Sequence, residues 1–465
     1  MTRSVSFFNM IVSLLKKWYG DFSKEELKKY LFLGFIFALI IGVYWTLRPM
    51  KDTIFCNMII GFSKCAGRES REVFLAWAKV VSLLVLFPVV IGYSKLVDKF
   101  KKYHLLYVLG IIYTVLMFIF AIFFANPKWG LANTMASPTR LSGWVWYTFV
   151  ESFGSLVIAL FWAFVVDIST EKSAKRSFSL IVMIGQLGGI LMPRYLNKIP
   201  RLLGTSNAAV VAICGFVILF ITLMVKLFIR VTPKHQLEGY KAETEKMKEH
   251  AKEPGLMEGL KLLLSHKYLL GIFAIGAFFE FIVTVIDFNF KAMTFATFRH
   301  VSEATEYLGA YASAVNLVAF LFLLFGINNI QRWLGLTIAL ALVPIIMAVA
   351  VLTFKMYPVL NVLFYLVIAA KAVNYALNGP ALKQLYIPTT EDVRYKAQAW
   401  IETFGSRTAK AGGSFANLTK SALGFPLYLT LTVYLSFGLL AAWFFIAIFL
   451  AKKCNKAINE RTFVC

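Results

Sequence analysis

The chain is poor in the residues from which chemical sites are usually built. Its five cysteines, Cys56, Cys65, Cys214, Cys454 and Cys465, are scattered and odd in number, which excludes a disulfide framework or a cysteine metal box. Spacing alone leaves open whether Cys56 and Cys65 pair in a shared extracytoplasmic loop. The five histidines, His104, His235, His250, His266 and His300, fall mostly at the edges of apolar runs or in connections. No Ser/His/Asp order, metal-ligand spacing or Walker motif accompanies them, so neither catalysis, a metal nor a cofactor is expected. A cleavable leader is not expected either: the first 30 residues carry Lys16, Lys17, Lys24, Lys28 and Lys29 and lack a short apolar core followed by a small-residue cleavage site. Charge is scarce, at 15% of residues, and mostly of one sign, giving a net +24. The basic residues are spread over many connections, which argues against nucleic-acid binding and for a topological role.

What the chain has in abundance is hydrophobic residues, 59% of the total, with a mean hydropathy of +0.71. That exceeds what a soluble domain carries and defines an all-α polytopic membrane protein. Runs of the ~20 residues needed to cross a hydrocarbon core are read near Leu31–Leu47, Phe74–Leu96, Leu105–Phe124, Trp144–Ile168, Phe178–Met192, Ala208–Ile229, Tyr268–Phe290, Leu308–Ile327, Leu334–Phe354, Val359–Leu377, a polar candidate at Tyr395–Leu418, and Leu427–Leu450. The mixed-charge segment Arg230–Lys267, with Pro233 and Pro254, separates six spans from six. The predicted organisation is an amphipathic segment 1–30, a six-helix half 31–229, a cytoplasmic linker 230–267, a second six-helix half 268–451 and a tail 452–465, an architecture of major-facilitator type. Lys and Arg gather at the N-terminal segment, at 95–102, at 172–176, in the linker and in the tail, so both termini are expected on the cytoplasmic side. The stretch with Arg48, Lys51, Lys64, Arg68 and Arg71 breaks that rule, and its charge requires another reason.

Charges inside apolar runs are costly and therefore informative, at roughly 2.5–3.5 kcal/mol each on insertion scales. Glu151 stands alone among apolar and small residues. Glu280 and Asp287 are seven positions apart on one helix face, with Lys291 one turn further. Asp287 and Lys291 can neutralise each other or exchange partners with a charged ligand. Lys371, late in the tenth run, is expected to snorkel to the interface, and Gly379, Pro380 and Pro388 are expected to break that helix. The eleventh candidate, with Lys396, Glu402, Arg407 and Lys410, is too polar to face lipid and must be shielded or line a pathway.

Three stretches carry a family resemblance: Leu47-Arg48-Pro49-Met50-Lys51-Asp52-Thr53; Glu151-Ser152-Phe153-Gly154-Ser155 with Phe161-Trp162; and Tyr375-Ala376-Leu377 through Tyr386-Ile387-Pro388 to Lys410-Ala411-Gly412-Gly413. They resemble the ATP/ADP translocase (nucleotide transporter) family of plastids and obligate intracellular bacteria, over nearly the whole chain and in the same order. The resemblance implies nucleotide exchange across a bacterial inner membrane; the alternatives are proton-coupled nucleotide symport and exchange of another nucleotide or NAD. It implies Lys51 as a phosphate contact and Glu151 as an essential acid, with Asp287 at the family's seventh-span acid. The family's Lys-Glu pair at the tenth-span exit is replaced here by Leu382-Lys383.

A polyphosphate needs several cations, and Arg48, Lys51, Lys291, Lys383, Lys396 and Arg407 are the candidates, with Glu151, Glu280 and Asp287 as acids of the same site. Tyr147, Phe149, Phe153 and Phe281 are the candidate rings for the base. A monomer is expected. Obligatory exchange is expected to follow from cations that repel one another in the empty site.

Overall fold

The structure, a computed structural model, describes residues 23–61, 73–99, 102–169, 171–233, 237, 256–324, 328–390, 400–401 and 405–464. Among the described residues the bundle is built from twelve principal helices: α1 (Lys24–Phe55), α2 (Val73–Lys99), α3 (Lys102–Ala125), α4 (Leu141–Asp167), α5 (Glu171–Leu196), α6 (Asn207–Val231), α7 (Lys267–Thr297), α8 (Val301–Leu324), α9 (Asn328–Met356), α10 (Leu360–Val373), α11 (Ser406–Leu418) and α12 (Lys420–Glu460). Nine of these are long and apolar enough to span a bilayer by length and composition among the described residues. Described apolar stretches are shorter in α2 and α10, and α11 is polar, as its sequence requires. The lipid-facing surface is apolar: Ile122, Val349 and Phe445 are well exposed on α3, α9 and α12.

Ser23 opens α1 with a capping box, accepting from the Glu26 amide while the Glu26 carboxylate accepts from the Ser23 amide. The apolar run ends near Leu47, but the helix does not. It continues through Pro49 to Phe55 and into a wide π turn, Cys56–Ile60. Arg48 and Lys51 therefore stand inside the first helix and not in a loop, which corrects the sequence reading. Cys56 is fully buried in that turn, and Cys65 lies outside the described residues.

The tenth span also differs from expectation. Gly379 and Pro380 do not break it: α10 passes through a second π turn, Asn374–Asn378, into a short helix, Gly379–Gln384, whose first turn holds the proline, a position where no intrahelical donor is lost. Residues 360–384 thus form one helical path of about 1.5 Å per residue, long enough for the ~30 Å core. Real breaks occur instead at Gly335 (φ 74°) and Gly424 (φ 72°), whose left-handed backbone divides α9 and α12 into a short lead-in and a span.

Consecutive glycines on α5 organise the junction of the halves. Gly188 lies against the Ala38 carbonyl of α1, and Gly189, about 100° further round, lies against the Asn316 amide of α8. Gly309 of α8 answers from the other side, close to the Pro193 carbonyl and Asn197. Small residues here bring backbones into contact where no hydrophobic force between helices would. Ser313 Oγ donates to the Ile190 carbonyl at 2.8 Å across the same seam.

Candidate functional site: a charged cavity between the two halves

A cavity of about 430 Å³ lies between the halves, lined from α1, α2, α4, α7, α10, the turn after α10, and α11. Seven of its lining side chains are basic (Arg48, Lys51, Lys79, Lys291, Lys371, Arg407, Lys410) and three acidic (Glu151, Glu280, Asp287). Asp52 lies behind them, 1% exposed. The described site thus holds more positive than negative charge, in a volume typical of small-molecule pockets.

Most of these charges form one chain of ion pairs. Lys51 is paired with Glu151 across α1 and α4 and packs 4.3 Å from the centre of the Tyr147 ring. Asp52 holds Lys291 at 2.8 Å and approaches Lys51 at 3.8 Å. Lys291 reaches Asp287 at 2.9 Å, and Asp287 is approached by Lys79 at 3.7 Å and Lys371 at 3.9 Å. The Asp52–Lys291 and Lys79–Asp287 links join an N-terminal-half helix to α7. A smaller cluster occupies another part of the lining: Ser406 donates to Glu280 at 3.1 Å, Lys410 approaches Glu280 at 3.5 Å, and Arg407 donates to Ser155 Oγ at 3.3 Å. Buried ions of this kind are tolerated only when paired and hydrogen-bonded, and deleting one partner strands the other at a cost of about 3–5 kcal/mol.

Of the residues singled out in the sequence, Arg48, Lys51, Glu151, Glu280, Asp287, Lys291 and Arg407 meet in this cavity. Lys383 does not; it is exposed on the short helix after α10. Lys396 and Glu402 lie outside the described residues, as do the side chains of Asp167, Lys172, Lys175 and Arg176. Lys371 does not snorkel. It is 9% exposed and lines the cavity, because the helical path continues a further three turns past it. The four candidate stacking rings are absent from the lining. Tyr147 supports Lys51 from below, Phe149 and Phe153 pack with Tyr113 in an aromatic cluster that includes Trp146 and Phe120, and Phe281 packs against Gly412. The rings that do face the cavity are Tyr44, Phe279 and Tyr375.

Lys79 was not read from the sequence, although the signal was present: a lysine near the start of the apolar run Phe74–Leu96, well away from Lys95 at its basic end. Asp52 drew notice only as a neighbour of Lys51, since nothing in one dimension distinguishes an acid that faces inward.

At the end of the bundle where α1 finishes, the halves are joined by neutral hydrogen bonds. Thr53 Oγ1 and Thr305 Oγ1 are 2.7 Å apart, and Asn207 Nδ2 donates to Thr305 Oγ1 at 3.0 Å. Arg201 reaches Glu306 at 3.2 Å nearby.

Twelve principal helices among the described residues, in two halves with a polar cavity between them, define a multi-pass membrane protein of major-facilitator-like architecture. Solved structures agree on the fold: a bacterial homologue of the iron transporter ferroportin in an inward-facing state (TM-score 0.61, 11% identity, 92% of this chain and 100% of that one) and a D-xylose-proton symporter (TM-score 0.57, 13% identity, 92% and 97%). A family model described as TLC ATP/ADP transporter matches residues 11–453, and the chain belongs to that family of transporters. Among its relatives are ADP,ATP carrier protein 4 of Rickettsia conorii, 22% identical over 89% of this chain and 88% of that one, and ADP,ATP carrier protein 1 of Rickettsia prowazekii, 25% identical over 97% and 98%.

Proposed function

We propose that this protein exchanges ATP for ADP across a bacterial inner membrane by alternating access, with both termini in the cytoplasm. The observation that carries the reading is the excess of basic side chains in a mid-bundle cavity, several of them held by carboxylates of the same site. Family membership and the relatives named as ADP,ATP carriers support the nucleotide as substrate. Lys51, Lys291, Arg48 and Arg407 hold the phosphates, and Tyr44, Phe279 and Tyr375 supply the ring surfaces against which a base can stack.

The pairing of the cations changes the expected reason for exchange. Lys51 and Lys291 are paired with Glu151, Asp52 and Asp287, which favours ties between the halves over mutual repulsion as the restraint on an unloaded carrier. The links from Asp52 to Lys291 and from Lys79 to Asp287 tie one half to the other. A phosphate chain competes with Glu151 and Asp287 for the same ammonium groups and loosens those ties, so reorientation is easy when loaded and slow when empty. Binding energy spent on the ties is thereby converted into a conformational step, as a ligand with differential affinity for two states must do. The hydrogen-bonded end near Thr53 and Thr305 is the extracytoplasmic one if basic connections face inward, which makes this state cytoplasm-open.

Uptake of labelled ATP by proteoliposomes preloaded with ADP, other nucleotides, NAD or buffer tests the reading. Uptake that requires internal nucleotide is expected. Equal uptake into empty vesicles, or net uptake driven by a pH gradient, would replace exchange by uniport or proton symport.

A further inference from the structure

The charges of the cavity are not all held equally tightly. Lys51, Lys291, Lys79 and Lys410 each approach a carboxylate within 4 Å, and Arg407 donates to Ser155. Lys371 is the most loosely held: it is 9% exposed, its buried Nζ has no hydrogen-bond partner, and its ion-pair contact with Asp287 is 3.9 Å long, with Lys291 2.9 Å from the same carboxylate. What surrounds the ammonium is aromatic, with the Tyr311 ring centre at 5.1 Å and the Trp45 ring centre at 6.0 Å. The Tyr311 hydroxyl is also without a partner. On the other half, Arg48 rests 4.8 Å from the centre of the same Trp45 ring and lines the same cavity.

Lys371 and Arg48 share one indole, and the Lys371 ammonium has no acceptor at hydrogen-bond distance. A ring face supplies only part of what an ammonium loses on leaving water, and a buried donor with no acceptor carries the full desolvation penalty. An oxyanion placed between Lys371 and Arg48 would satisfy both, and because Lys371 belongs to α10 and Arg48 to α1 it would also bridge the halves. We infer that Lys371, together with Arg48, forms a separate subsite for one phosphoryl group at the end of the substrate's phosphate chain, and that Lys371 determines how many phosphates the carrier requires. The inference rests on the nucleotide reading for its substrate class, but the subsite itself needs only an oxyanion. Asn374, which lines the cavity one turn beyond Lys371, offers an amide to the same group.

The test is calorimetric titration of detergent-purified wild-type, Lys371→Gln, Lys371→Arg and Lys51→Gln proteins with ATP, ADP, AMP and inorganic pyrophosphate, with thermal unfolding as the check on folding. Lys371→Met, which also removes the buried charge, replaces the glutamine variant if that one does not fold. For Lys371→Gln the expected result is an affinity loss of about 10- to 100-fold for the nucleotide with the longest phosphate chain that wild type binds, the range for losing one charge-assisted hydrogen bond. Shorter nucleotides should be nearly unaffected, and Lys371→Arg should retain the discrimination. Lys51→Gln is expected to weaken all nucleotides together. A wild-type protein that binds pyrophosphate but no nucleotide, with pyrophosphate binding lost in Lys371→Gln, would sink the nucleotide reading and keep the subsite. Equal loss for every ligand in Lys371→Gln, no loss for any, or no binding by wild type at all overturns the subsite.

Discussion

Two of the seams between the halves of this molecule are built from opposite materials. Between α5 and α8 the contact is neutral and close: Gly189 against Asn316, Gly309 against Pro193 and Asn197, and Ser313 bonded to the Ile190 carbonyl. Between α1, α2 and α7 it is ionic, from Asp52 to Lys291 and from Lys79 to Asp287. A neutral close-packed seam depends on shape, and no soluble ligand can take its place. An ionic seam facing a wet cavity can be entered by any anion that outcompetes its carboxylates. The difference assigns closure of the bundle to the first seam and sensing of the substrate to the second.

The largest effect should come from removing the cation on which the ionic seam and the substrate both depend. Lys51→Gln leaves Glu151 without its ion-pair partner, while Asp52 keeps Lys291, and deletes a phosphate contact; truncating one member of a buried charge pair typically costs about 2–5 kcal/mol, or roughly 30- to 5000-fold in affinity. Nucleotide binding in detergent should fall by at least the lower figure. Unchanged binding by correctly folded protein would remove Lys51 from the site and leave the ionic seam purely structural.

Gly189→Leu attacks the other seam. Any Cβ at this position meets the Asn316 amide, and overpacking a tight contact costs about 1–3 kcal/mol. Transport by proteoliposomes should drop about tenfold or more while binding, which occurs away from this seam, stays within a few-fold. Loss of binding in parallel would mean that the seams are not separable.

How much of this division was legible in one dimension differs between the seams for physical reasons. Most of the spans follow from apolar runs, because a bilayer requires a lipid-facing helix to be apolar over a fixed length; α11, being polar, does not. Glu151, Glu280, Asp287 and Lys291 stand out because a charge in such a run is costly. The same test applied to Phe74–Leu96 would have found Lys79. It failed at α1, where hydropathy ends at Leu47 but the helix continues, since Lys51 and Asp52 find partners inside the bundle. It failed again at Lys371, where Gly379 and Pro380 suggested a helix end close enough for snorkelling and a π turn carried the helix onward. Aromatic residues could not be sorted at all: Phe149 and Phe153 pack among other rings, and only three dimensions pick Tyr44, Phe279 and Tyr375 as the lining. The α5–α8 seam was invisible, because Gly188 and Gly189 look alike in sequence and face different helices.

Asp52→Asn sharpens the reading of the ionic seam with a gain instead of a loss. Asn keeps the shape and removes the charge that holds Lys291 at 2.8 Å, so the tie between α1 and α7 weakens while both cations remain available to phosphate. Efflux of preloaded nucleotide into medium without counter-substrate should rise several-fold, which is the uncoupled leak that a tied empty carrier suppresses. If exchange is lost and no leak appears, Asp52 does not restrain the empty state.

The smallest effect is expected where the two seams come nearest, at Thr53. Thr53→Val preserves volume and branching but removes the hydroxyl that meets Thr305 at 2.7 Å. The loss is partial, because Asn207 still donates to Thr305 Oγ1 and Thr305 still donates to the Val301 carbonyl; no partner on Thr305 is left wholly unsatisfied. One neutral hydrogen bond of this kind is worth about 0.5–1.5 kcal/mol, so the balance between the closed and open forms of this end should shift by roughly 2- to 13-fold. A cysteine placed at Thr53 in a background without other reactive thiols would report this, through faster labelling by a membrane-impermeant reagent when Asn207 is also changed to Ala. Labelling that is fast already in the single cysteine variant, and indifferent to Asn207, would show that these neutral bonds do not keep this end shut and would leave the glycine contacts of α5 and α8 to do so alone.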